Sequence, residues 1–249
     1  MFKGKIAGLI IFALLSSPGI AFETVDEQID HYLKTLSKTN VKGKIEMLER
    51  LQWSGLTDSR FYDVVESNVL KQYLRDDLSK NERTVLGHQI RALGFSGNEK
   101  YRATLKLVKE ESYVRRNKGY GKKALADMNK FSSWNKLIAE SNFTIEGKSA
   151  EVTTYMKMLN TDNPSVQKLA ARAIFHEEQD DNDLLVLTAE KLKAMYLKEG
   201  LDRGAQDSAA WLSKALGQNG GEEFIALLIE VVDKTPYKQI RKHAAKYVP

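Results

Sequence analysis

Four histidines, His31, His88, His176 and His243, are the side chains best suited to acid–base or metal chemistry, and their spacing favours neither. None stands in an H-E-x-x-H pair, and none has a second histidine at ligand spacing. The chain has no cysteine, which removes disulfides, thiolate zinc sites, iron–sulfur clusters and cysteine nucleophiles together. The acidic run from Glu177 to Asp183 lacks the turn glycine and alternating carboxylates of a calcium loop. Its aspartates instead suit the start of a helix, whose dipole favours negative charge. Gly119-Tyr120-Gly121-Lys122-Lys123 has glycines and lysines but no preceding strand, so it makes a poor phosphate cradle. No nucleophile elbow, Walker A or dinucleotide motif occurs, and no acid–base set converges by spacing. The expectation is a chain without cofactor, metal site or catalytic residues, and not an enzyme.

Basic and aromatic residues are more informative. Between Tyr113 and Lys136, Tyr113, Tyr120, Phe131 and Trp134 interleave with Arg115, Arg116, Lys118, Lys122, Lys123 and Lys130. Such a mixture can stack on and neutralise an anionic polymer, although the aromatics also suit core packing.

The elements that would position these side chains follow from internal repetition. The stretch Ile90 to Gly97 recurs as Ser213 to Gly220, and the match runs on from Glu99 to Glu222 and from Leu105 to Leu228. Val166 to Ile174 recurs as Ile240 to Val248. The recurring blocks read as six helix pairs. First helices are expected near 23–38, 58–77, 98–112, 149–160, 181–199 and 221–234, with partners near 41–53, 80–94, 113–129, 164–176, 203–217 and 236–248. Asn163-Pro164 and Thr235-Pro236 are helix starts with proline at the first position. Paired alanines at 170–171, 209–210 and 244–245 let helices approach closely. Residues 130–148 read as an irregular insert.

The segment Asp162 to Ile174, with Pro164, Val166, Lys168, Ala170, Ala171 and Ile174, resembles the second-helix pattern of HEAT repeats, and Ile240 to Val248 repeats it. The chain is similar to small secreted bacterial HEAT-repeat proteins. That resemblance implies an all-α, right-handed solenoid of about six HEAT-like pairs, curved and used for protein binding. It supplies no catalytic residues. His176-Glu177 also resembles one His-Glu pair of the HEAT-like diiron hydroxylases, a family that needs several; one occurs here.

Charge divides between the two helix sets. The segments 113–129 and 236–248 each carry a surplus of four positive charges, whereas 58–77 and 221–234 lean acidic. With the second helices on the concave side, that surface is basic and focuses its field on an anionic ligand. The expected partner-binding residues are Arg115, Arg116, Lys122, Lys123, Arg241 and Lys242, with Trp134 as an anchor.

Residues 1–21 read as a secretory signal: Lys3 and Lys5, an apolar run from Ile6 to Leu15, and Gly19 and Ala21 at the small-residue positions. The run is too short to span a bilayer, which needs about 20 apolar residues. The mature chain, 22–249, is then an exported scaffold, periplasmic or released, whose basic face binds a protein or an anionic envelope partner. Nucleic acid is a weaker fit, because export removes it from reach. A cell-envelope enzyme with an unrecognised site on a helical frame is the alternative.

Overall fold

A computed structural model describes residues 22–141 and 146–249; the expected signal segment, 1–21, lies outside the described residues. Those residues form twelve α-helices and two short 3-10 turns, with no strand among them. The first six helices are α1 (Val25–Ser37), α2 (Val41–Arg50), α3 (Ser59–Gln72), α4 (Lys80–Phe95), α5 (Arg102–Glu111) and α6 (Arg115–Glu140). The second six are α7 (Ala150–Leu159), α8 (Pro164–His176), α9 (Asn182–Lys193), α10 (Arg203–Asn219), α11 (Ile225–Lys234) and α12 (Lys238–Ala244).

Local chemistry sets most boundaries. Asn40, Asp58, Ser79, Asn163, Asp181 and Asp202 each accept a first-turn N–H with the side chain. Each such cap stabilises its helix by about 1 kcal/mol. Asp181, from the acidic run, caps α9 and is also gripped by Lys148 at 2.8 Å.

In the two copies, five of the six helices of each set start in register with their counterparts, α1 and α7 differing by two positions more. The starts of α2 and α8, α3 and α9, α4 and α10, α5 and α11, and α6 and α12 all differ by the same offset, the 123 positions that separate Gln28 from Glu151. Individual bonds recur with it. The Ser112 hydroxyl donates to the Tyr73 carbonyl at 2.8 Å, and the Thr235 hydroxyl to the Tyr196 carbonyl at the same distance.

Within each copy, second helices pack on second helices, α2 on α4 on α6 and α8 on α10 on α12, while α1 packs on α3 and α7 on α9. Small residues make this possible. Ala170, Ala171, Ala209, Ala210 and Ala244 are buried, and a Cβ on Gly94 would stand 2.5 Å from the Ala124 carbonyl oxygen across the α4–α6 contact.

The copies meet through their first pairs. Ala150 N–H donates to the Phe22 carbonyl at 3.2 Å, and the Gln28 amide donates to the Glu151 carboxylate at 3.1 Å. The Trp53 indole donates to Glu177 at 2.9 Å. Gln28–Glu151 and Trp53–His176 each join a residue to its own copy, which places them on a local two-fold axis. In space, therefore, α1–α2 lies beside α7–α8 in the middle, with α5–α6 and α11–α12 farther out.

One expectation needs correction. Residues 130–140, read as part of an irregular insert, continue α6 to Glu140. No glycine or proline interrupts them, and Phe131 and Ile138 are buried on the face that already holds Ala124 and Met128. The extension has a geometric purpose. At about 1.5 Å per residue, the whole 26-residue α6 runs past the end of α4, where Asn135 donates to the Ser96 carbonyl at 2.9 Å, and on to α7.

Candidate functional site

The second helices bring cations and aromatic rings together at the two-fold axis. Arg172 on α8 lies between two indoles, its guanidinium carbon 4.8 Å from the Trp53 ring centre and 5.4 Å from that of Trp211. Lys214, one turn along α10 from Trp211, holds its ammonium 3.3 Å above that ring and 4.7 Å from Phe175. His176, one turn beyond Arg172, stacks on Trp53 with centroids 5.1 Å apart.

This cluster is half of a symmetric set. Adding the 123-residue offset turns Glu49 into Arg172, Trp53 into His176, His88 into Trp211, Arg91 into Lys214 and Tyr120 into His243. The first members of these pairs, with Arg172 and His176, line a cavity of about 380 Å³ that straddles the junction of the copies. One set of helix positions in each copy thus faces one shared site.

Its electrostatics are unbalanced. Arg172 makes no hydrogen bond or ion pair among the described residues, and its buried Nε has no partner. Burial lowers its proton affinity below the usual guanidinium range. Lys214 is also lowered, first by burial and then by Lys246 and Arg172. The nearby carboxylate, Asp207, is taken by Lys168 at 3.0 Å and Gln239 at 3.1 Å. On the far wall Arg91 donates to Asp127 at 2.7 Å, leaving its own Nε buried and unpartnered. Burial is the main cause lowering His88 and His176, which favours the neutral imidazole in both. Glu49 faces His88 at 3.7 Å with 55% of its side chain exposed.

Glu177, the carboxylate beside His176, is not available to a ligand. It is buried, accepts from the Trp53 indole, and is gripped by Arg50 through two guanidinium nitrogens, Nε at 2.7 Å. Among the described residues no group of three His, Asp or Glu side chains is placed to hold a metal ion.

The residues expected from sequence sit beside this site or apart from it. Arg115, Arg116, Lys122 and Lys123 are exposed on the first turns of α6. Arg115, Arg116 and Lys123 border a shallow depression together with Tyr120, which also lines the cavity. Arg116 donates to the Tyr120 hydroxyl at 2.8 Å. Trp134 is half-buried, edge-on to Phe131 at 5.0 Å. Arg241 reaches back to the Val232 and Thr235 carbonyls and caps α11, while Lys242 is exposed. Sequence reasoning named His88 among the histidines without placing it at a site, and it missed Trp53, Arg91, Arg172, Trp211 and Lys214 as site residues. The available signal was the repeat offset: aromatic, basic and histidine residues recur at matched positions of both copies.

Compared with known proteins, the sequence matches no family model and no curated protein. Among solved structures the chain is similar to human deoxyhypusine hydroxylase in complex with glycerol, at 12% identity and a TM-score of 0.34, over 89% of this chain and 83% of that one. So distant a likeness transfers neither a fold nor a reaction. It does run against the expectation that the chain is not an enzyme, because the matched protein is one by name; that expectation is withdrawn on this finding.

Proposed function

We propose that the chain is exported and built of two right-handed α-solenoid stacks of three HEAT-like helix pairs each, whose second-helix face is a binding surface for an anionic envelope partner, an acidic protein segment. The stacking of second helices on second helices and first on first supports the solenoid reading. The leader-like pattern of residues 1–21 supports export. Among the described residues no helix is long and apolar enough to cross a membrane.

The observation that carries the reading is Arg172, a guanidinium held between two indoles with no acid to neutralise it. Its neighbours on the same face add Lys214 and, farther out, Arg116 and Lys123. A desolvated cation without a partner costs stability, and its retention is explained by an anion that arrives from outside. Aromatic walls keep water away and strengthen that attraction.

The test is a titration of a labelled polyglutamate peptide against the purified protein, read by fluorescence anisotropy at rising salt. Binding that weakens with salt and is lost in the Arg172→Glu/Lys214→Glu double variant is the expected result. No binding at low salt overturns the reading, and so does tighter binding of an oligonucleotide.

A further inference from the structure

The cavity on the two-fold axis has features that an extended acidic segment does not require. It is concave, encloses about 380 Å³, and is walled by Leu48, Phe95 and Tyr120 on its apolar side. That volume falls in the range of small-molecule sites, about 300–1,000 Å³. Two guanidinium groups reach it from different helices, Arg91 on α4 and Arg172 on α8, and each has a buried Nε–H that no protein acceptor satisfies. Arg172 has no acceptor among the described residues, and an unpaired guanidinium on a cavity wall suits an anion bound inside the cavity.

We infer that this cavity binds a small organic oxyanion, a phosphate monoester or carboxylate carried on an aromatic body. The oxyanion lies between Arg91 and Arg172, and the body packs against Phe95 and Tyr120. Guanidinium groups suit this role because their planar N–H sets match carboxylate and phosphate oxygens. Arg172 is held in place by the two indoles, so little side-chain freedom is lost on binding. Arg91 is fixed in the same way by Asp127 and by the Phe95 ring, 5.1 Å from its guanidinium carbon. The lining also carries one carboxylate, Glu49, 3.7 Å from His88 and 55% exposed, so its charge is screened by solvent more than that of Arg172.

The inference goes beyond the surface reading and fails separately from it. Two of the three tryptophans, Trp53 and Trp211, touch Arg172, so intrinsic fluorescence reports occupancy. Phenyl phosphate is titrated into the purified protein, with inorganic phosphate and phenol testing the headgroup and the body alone. The expected result is a saturable change with a Kd of about 1 mM or tighter, and at least tenfold weaker binding of either control. Arg172→Met and Arg91→Met each weaken phenyl phosphate about tenfold or more, while Lys106→Met, on the exposed side of α5, leaves it unchanged.

No saturable change in the wild-type protein overturns the inference, and that measurement does not depend on any variant folding. Equal binding of phenol and phenyl phosphate overturns oxyanion recognition. Unaltered binding in an Arg172→Met protein with intact helical circular dichroism removes Arg172 from the site. Polyglutamate binding without phenyl phosphate binding sinks the cavity assignment alone, and the reverse sinks the surface reading alone.

Discussion

Trp53 and His176 stack face to face, 18° from parallel, although 123 positions separate them and each is the other's copy. A residue that touches its own copy lies on the axis relating the two. The features of the site gather around this stack: Arg172 over the indole ring, Glu177 on its N–H, and the cavity that Trp53, Arg172 and His176 line together.

Breaking the clamp that holds this stack is expected to loosen the junction. Glu177→Ala leaves Arg50 and the Trp53 indole without their acceptor. Removing one partner of a buried pair costs about 3 kcal/mol. A thermal melt followed by circular dichroism checks it; an unchanged midpoint contradicts the clamp.

Glycine replacements should divide sharply by position. Gly94→Ala drives a methyl into the Ala124 backbone, 2.5 Å away. Overpacking of this kind costs about 1–3 kcal/mol. Gly119 lies inside α6 with nothing within 4 Å of a Cβ, so Gly119→Ala gains about 0.5–1 kcal/mol from helix propensity. Urea denaturation of both variants reads the opposite signs.

Glu151 supplies a pH signature. Burial, the largest cause, raises its pKa above the ordinary value, so the folded protein retains this proton where the unfolded chain has released it. Stability from this group is full below the unfolded pKa, about 4.3, and is lost as pH rises through the raised folded value. Glu151→Gln, which cannot ionise, is expected to melt higher than wild type at pH 7 and to converge with it near pH 4. Melting midpoints across that range decide the matter; a constant difference between the two proteins contradicts it.

Arg172→Met should separate binding from stability. The substitution loses two cation–π contacts, each about 0.5–2 kcal/mol, but also removes a desolvated charge with no acid partner. These changes oppose each other, and the expected stability change is within about 1 kcal/mol. Polyglutamate and phenyl phosphate binding should fall together in the same variant. A large loss of stability would make Arg172 a structural residue.

Helix positions were legible because their signals are local. Asn163 before Pro164, Asp181 before α9 and the alanine pairs of α8 and α10 each act within a few residues. Within the insert expected at 130–148, residues 130–140 are helical instead, because Phe131 and Ile138 are buried on the same face as Ala124 and Met128 and keep α6 going. The basic lean of the second helices was readable, but the site within it was not. Arg172 meets Trp53 only because the copies face each other, and nothing near either residue announces that contact. Arg241 carries a second role that its charge did not announce: it remains exposed while its guanidinium donates to the carbonyls at the end of α11.

Joining two copies in one polypeptide has a consequence that two separate chains cannot share. In a homodimer every mutation near the axis appears on both sides, so equivalent positions there cannot differ. Here position 49 keeps glutamate while position 172 is arginine, and Trp53 opposes His176. Covalent linkage lets the two sides differ, and the recess at their junction is correspondingly lopsided, with Glu49, His88 and Arg91 lining it from one copy and Arg172 and His176 from the other.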